Sequence, residues 1–258
     1  MSRAWLNPAG GLRYHLRALG AGRYWQPFRA ALASWLSRFD GPTAHALLVG
    51  PSAGYTFPDA FLSRFSAITV LEPDPIAARL ISRRLRRLGV VSKVERADRL
   101  LAPLLDGGDG LVDLLHAHPS ACLIFGNVLG QTRFLLQDPE FERMKSAFRQ
   151  RIVPLLTQRA WLSFHDRLSG TWAPSFQQPY TASSRLDDSA VLRTLYPNSP
   201  KDSDVELFDH QSDGFFPAQL AHTYFHWQIA RTRHHLIEGV MGRSLSSIAA
   251  LSSQGAGL

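Results

Sequence analysis

The sequence has one cysteine in 258 residues, Cys122. A single thiol excludes an internal disulfide and any zinc site built on paired cysteines. Long apolar runs are missing too, since no stretch approaches the ~18 uncharged residues that a membrane-spanning helix needs. Met1 to Gly20 alternates Arg, Gly and apolar side chains with no continuous apolar core. No signal peptide is read there, and a soluble cytoplasmic protein is expected. Acidic residues are in the minority: 28 Lys+Arg against 21 Asp+Glu gives +7. The excess is almost all arginine and is dispersed along the chain, so it forms no continuous basic track and a nucleic-acid partner is not expected. Internal repeats and low-complexity tracts are absent. What is present is a 45% hydrophobic content, enough for the full core of one large domain and too high for a disordered chain.

Apolar residues recur at three- and four-residue steps through Trp25, Phe28, Leu32, Trp35, Leu36 and Phe39, which predicts a helix that Asp40-Gly41-Pro42 then breaks. Short apolar runs at 44–49, 67–71, 90–94, 121–125 and 160–164 read as buried strands. Helical patterns at 58–65, 75–88 and 141–156 separate them, with short helical pieces at 100–105 and 111–115. Continuous apolar strands alternating with helices predict a mostly parallel sheet covered on both faces. Ligands of such sheets bind beyond the carboxyl ends of the strands, where strand order reverses. Residues 167–217 are rich in Ser, Pro, Asp and Gln with interleaved aromatics, and read as a lid, a substrate-binding insertion or a disordered segment, with a short strand read at 205–208. A late strand pair is expected over 224–239. The expected organisation is an N-terminal helical cap over 1–41, an α/β domain over 42–243 and a flexible tail over 244–258.

The turn Gly50-Pro51-Ser52-Ala53-Gly54 follows the first strand and precedes a helix. Glycine permits a sharp turn, and the amides of such a turn face an anion. A dinucleotide fingerprint requires G-x-G-x-x-G, and Ser52 at its middle position argues against a dinucleotide-dependent oxidoreductase. Leu47 to Tyr55 instead resembles motif I of the class I S-adenosylmethionine-dependent methyltransferases, with Ser52 in place of the middle glycine. Glu72 ends the second strand about 20 residues further on, as the acid of that family's motif II does. Asp98 stands where the family often has an acid near the adenine amino group, and Phe125 to Gln131 where it has motif IV. Residues 227–240 resemble the hairpin that closes the family's sheet.

The resemblance, over about residues 42–240, implies a Rossmann-like, seven-stranded, mostly parallel sheet with S-adenosylmethionine as cofactor. It implies cofactor contacts at Gly50, Pro51, Ser52, Gly54, Glu72, Asp98, Gly126 and Asn127. The family usually carries an Asp or Glu two residues before the first glycine of motif I; this chain has Leu48. That departure leaves open a non-catalytic binding or scaffold protein on the same fold.

Methyl transfer from a sulfonium is an in-line displacement, which asks the protein chiefly for alignment. A general base is needed only for a nucleophile whose proton is held tightly. Asn127, His165 and Asp166, at strand ends, are the catalytic candidates, and a small molecule or peptide is the expected acceptor. Tyr14, Tyr24, Trp172, Tyr180 and Phe216 are placed where a substrate could touch them. The pairs His116/His118, His222/His226 and His234/His235 lack cysteine partners, and no metal site is expected. Arg79, Arg83, Arg84, Arg86 and Arg87 read as the solvated face of an amphipathic helix.

Overall fold

A computed structural model describes residues 11–95, 109–134, 136–198 and 207–243. Two helices open it, α1 (Gly11–Gly20) and α2 (Gly22–Leu36). There follow β1 (His45–Val49), α3 (Asp59–Leu62), β2 (Ala67–Leu71), α4 (Pro75–Arg87), β3 (Val91–Glu95), α5 (Asp109–Ala117) and β4 (Cys122–Gly126). Next come α6 (Asp138–Ala147), a π-helical turn at Phe148–Ile152, α7 (Val153–Leu156) and β5 (Trp161–Gly170). The last elements are β6 (Tyr180–Ala182), α8 (Asp188–Leu195), β7 (Leu207–Asp209), β8 (His222–Ala230) and β9 (Arg233–Gly242).

All the strands of the described residues join one sheet in the order β3-β2-β1-β4-β5-β9-β8-β6, with β7 paired to β5. The first five pair in parallel, while β9 is antiparallel to β5 and β8 antiparallel to β9. Strand order reverses between β1 and β4, so the crevice expected of a doubly wound sheet lies over their carboxyl ends. The pleat sends alternate residues to opposite faces. Leu48, Ile68, Ile124, Leu162 and Phe164 pack with α2, α3 and α4 on one face. Leu47, Val49, Leu123, Phe125 and Trp161 pack with α5, α6 and the π-helical turn on the other. Asp74 caps α4 by accepting from Ile76 N and Ala77 N at 2.8 and 3.3 Å, and Pro75 fits its first turn.

Seven strands were expected and the described residues form nine. The two additional ones, β6 and β7, come from residues 167–217, where the sequence pattern suggests only a short strand at 205–208. This insertion is woven into the sheet: β6 extends the edge beside β8 and β7 pairs with β5. Val191, Leu195 and Tyr196 bury a third apolar cluster with Leu168, Tyr224 and Leu236. β5 also runs six residues past its apolar signal. Its polar residues Ser163, His165, Asp166, Arg167 and Ser169 are all buried because each finds a partner, as set out for the site below.

The N-terminal segment is packed equally firmly. Trp25 and Phe28 of α2 lie against Trp227 of β8, with ring centroids 4.9 and 4.8 Å apart. Among the described residues no helix is long and apolar enough to cross a membrane. The tail at 244–258, the helical piece at 100–105 and Asp98 lie outside the described residues.

Candidate active site

β1 ends at Val49, and the chain turns through Gly50 (φ +62°), Ser52 (φ +52°) and Gly54 (φ +73°). A Cβ at Gly50 would collide with Val128 Cβ, so contact as well as backbone angle requires glycine there. Arg84 braces the turn from α4, donating to Gly54 O, to Phe57 O at 2.7 Å and to Asp59 Oδ1 at 2.7 Å. It is therefore not part of a solvated arginine face, although Arg79, Arg83, Arg86 and Arg87 are exposed. Ser52 holds a left-handed conformation that costs an L-residue about 1–2 kcal/mol. Ser52→Gly is expected to gain about 0.5–1 kcal/mol after the entropy of the freer unfolded chain is counted. That raises the melting temperature by about 1–4 °C. A glycine variant that melts lower than the parent would show that the Ser52 side chain itself holds the turn.

Glu72 stands one residue past β2 and is 6% exposed. Its carboxylate accepts from Ser52 N at 2.7 Å through Oε2 and from Asp74 N at 3.0 Å through Oε1. The acid after β2 is thus tied directly to the turn after β1. Burial pushes its pKa up to about 7, against the two backbone donations that lower it. Each carboxylate oxygen keeps a second lone pair for a ligand.

A polar cluster occupies the carboxyl ends of β4 and β5. Asn127 (φ +61°) accepts from Asp166 N at 2.8 Å and donates to Asp166 Oδ2 at 3.1 Å. Gln131 donates to the same Oδ2. The other oxygen, Oδ1, is 2.6 Å from His235 Nδ1 on β9. His210, just past β7, sits beside them with its Nδ1 2.8 Å from Gly130 O and its Nε2 3.0 Å from Ser169 Oγ. Burial alone would raise the Asp166 pKa. The histidine charges and the hydrogen bonds from His235 and Asn127 outweigh it and hold the carboxyl at about 2, so Asp166 is a fixed anion.

The neighbours His165 and Asp166 part company at the pleat. Asp166 shares its side with Phe164, whereas His165 turns to the other, where its ring lies 5.8 Å from that of Phe216 and its Nδ1 2.9 Å from Ser163 Oγ. Burial pushes the His165 pKa down to about 4. Its position removes it from the cluster around Asn127. Phe216 is core, stacked on Trp161 at 4.7 Å, and Trp172 packs on the third apolar cluster. Tyr180 sits on the outer strand β6 beside Tyr224.

Tyr14 of α1 packs against the apolar core next to the site. Its ring lies 5.8 Å from that of Trp25 and 6.1 Å from that of Tyr55, and burial raises its pKa, with the charges of Asp166 and Glu72 adding to the rise. Its neighbour His15 latches α1 in place, with Nδ1 2.9 Å from Tyr55 Oη and Nε2 3.2 Å from Asp74 Oδ2. Asp74 therefore caps α4 and anchors α1 at once.

The turn residues Gly50, Pro51, Ser52 and Gly54 come together with Glu72, and Gly126 packs tightly against the turn, since a Cβ there would lie 3.1 Å from Pro51 Cα. Asn127 and Asp166 are brought together beside them. Leu48 is 1% exposed in the apolar core and supplies no polar group. His210, His235, Gln131 and His15 were not identified as site residues from the sequence. His235 was visible only as one half of a His-His pair, and nothing local marks His210, whose place depends on the pairing of β7 with β5.

No protein-family model matches the sequence, and no curated protein matches it. Similar solved structures include an S-adenosylmethionine-dependent methyltransferase from Clostridium acetobutylicum, 9% identical, with 90% of this chain and 82% of that one covered and a TM-score of 0.40. The N-methyltransferase NodS from Bradyrhizobium japonicum is 11% identical, with 84% and 98% covered and a TM-score of 0.40. The amino pentose methyltransferase CalS10 from Micromonospora echinaspora is 17% identical, with 89% and 97% covered and a TM-score of 0.38. Likeness at this level does not define an activity, which has to come from the chain's own residues.

Proposed function

We propose that the chain is an S-adenosylmethionine-dependent methyltransferase acting on a small-molecule or peptide acceptor. The observation that carries this reading is the 2.7 Å hydrogen bond from Ser52 N to Glu72. It joins the turn after β1 and the acid after β2 into one unit at the strand-order switch point, where a doubly wound sheet takes its ligand. Ser52 holds a left-handed backbone, φ +52°, of the kind that favours glycine, and the free lone pairs of Glu72 suit a pair of ribose hydroxyls. Bound there, the cofactor would supply an activated methyl group.

The chain's own residues then have separate tasks. Glu72 accepts from a diol. Asn127 and Gln131 hold Asp166, and Asp166 holds His235 across the acceptor side. The His15 latch sets α1 beside Asp74, whose amide donates to Glu72. The His165 position argues for a packing role, so the catalytic set is Asn127 and Asp166 together with His235. Leu48 favours a second reading, a non-catalytic protein on this fold, because no side-chain acid is offered there for the methionine amino group.

Calorimetric titration with S-adenosylmethionine and S-adenosylhomocysteine, with NAD as control, tests the proposal. Micromolar binding of the first two and none of NAD is expected. Binding of NAD alone would replace the reading with an oxidoreductase. Binding of none of the three would leave the scaffold.

A further inference from the structure

Asp166, His210 and His235 are buried together at the acceptor side of the site, and one donor atom from each lies within 4.8 Å of the others. They reach this point from three elements: β5, the turn after β7, and β9. We propose that these three side chains bind one divalent transition-metal ion. Two imidazole nitrogens and one carboxylate oxygen make a borderline-soft set that suits Zn²⁺, Fe²⁺, Co²⁺ or Mn²⁺, whereas Mg²⁺ and Ca²⁺ take oxygen ligands.

The surroundings are those of held ligands. Asp166 Oδ2 accepts from Asn127 at 3.1 Å and from Gln131, which leaves Oδ1 for the histidines. His210 Nδ1 lies 2.8 Å from Gly130 O, so it carries the proton and Nε2 carries the lone pair. A carbonyl holding the far nitrogen of a ligating histidine is the usual means of fixing its tautomer and direction. Ser169 Oγ, 3.0 Å from that Nε2, donates to it without an ion and moves aside or joins as a fourth ligand with one. His235 Nδ1 donates to Asp166 Oδ1 at 2.6 Å. An ion takes the place of the donated proton, as deprotonated ligands require. Bonds of about 2.0–2.1 Å set ligand atoms about 3.3 Å apart, so small side-chain rotations open this pair and draw His210 in.

Three protein ligands leave open coordination positions. Beside a cofactor turn, an open position takes an acceptor oxygen and lowers its pKa, so the acceptor class becomes a hydroxyl-bearing small molecule. That consequence rests on the methyl-transfer reading; the metal site itself does not.

The full chain, treated with chelator and dialysed, is titrated with Co²⁺ by visible absorption and with Zn²⁺ by calorimetry. One ion per chain is expected, with micromolar or tighter affinity and a raised melting temperature. His210→Gln and His235→Gln each weaken binding about 100-fold or more, while Gln131→Ala, acting through Asp166, weakens it about 10–100-fold. His226→Ala is the control, because His226 Nε2 and His234 Nδ1 form a separate pair 2.9 Å apart. Binding that is absent, or lost with His226 and kept without His210, overturns the proposal. S-adenosylmethionine is titrated into the same metal-free chain. Cofactor binding without metal binding removes only this inference, and metal binding without cofactor binding removes only the methyl-transfer reading.

Discussion

Glu72→Ala should weaken S-adenosylmethionine binding by about one to two orders of magnitude, because hydrogen bonds to a charged carboxylate contribute about 1.5–3 kcal/mol each. The wild-type pH profile gives the loss a signature. Burial places the Glu72 pKa at about 7, and only the ionised carboxylate accepts from both hydroxyls of a diol. Affinity should therefore rise about tenfold between pH 6 and pH 8 as the ionised fraction rises.

Stability should run the other way. A carboxyl whose folded pKa is raised stabilises the fold fully below the unfolded value near 4.5, and that stabilisation is lost as pH rises through about 7. The ligand-free protein thus loses stability over the same interval in which it gains affinity. In Glu72→Ala both trends should flatten. Glu72→Gln, which keeps one acceptor oxygen for Ser52 N or Asp74 N, separates loss of charge from damage to the turn. Calorimetry and thermal melts from pH 5.5 to 8.5 read both effects. A Glu72→Ala variant that binds as tightly as the parent would mean the diol is held elsewhere.

The parts of this molecule that were legible in the sequence are those set by local physics. β2 spans Ala67–Leu71, as its five-residue apolar run indicates, and α4 starts at Pro75 behind its Asp74 cap. The turn at 50–54 and Glu72 could be placed because a strand end and a glycine pair mark them. The polar cluster at the carboxyl ends of β4 and β5 was not legible for the opposite reason. His210 and His235 meet Asp166 only because β7 and β9 both pair with β5 from far along the chain. The length of β5 was hidden too. Its apolar run stops at Phe164, and pairing continues because Asp166, Arg167 and Ser169 find partners distant in sequence, while His165 pairs locally with Ser163. Polarity suggested loop, and tertiary partners made strand. The same polarity hid the pairing of β6 and β7 within 167–217, since Ser- and Asp-rich composition describes solubility and not pairing. Arg84 shows the pattern on a helix, where one arginine of five turns inward because three carbonyl and carboxylate oxygens await it.

Glu238→Gln should destabilise the protein by about 3–5 kcal/mol, the usual consequence of leaving buried charge without its partner. Glu238 is fully buried on β9, with His222 Nδ1 at 2.6 Å, Arg185 Nε at 3.0 Å and Arg167 Nε at 3.9 Å. Arg167, 2% exposed, also pairs with Asp188 and, at 3.3 Å, with Asp209. Asp188, Asp209 and Arg185 all belong to the insertion, so this network clamps 167–217 to the sheet and thereby sets His210 beside Asp166. Burial alone would raise the Glu238 pKa; the His222 hydrogen bond and the Arg185 charge outweigh it and hold the carboxyl at about 2. With a lowered folded value, its stabilisation is present above about pH 4.5 and lost as pH falls towards 2. The variant should melt about 6–20 °C lower at pH 7, with a smaller difference at pH 3. Limited proteolysis should cut it first within 167–217. Equal melting of variant and parent at pH 7 would mean that Asp188 and Asp209 suffice for the buried cations, and that the insertion is held by its apolar cluster of Val191, Leu195 and Tyr196 instead.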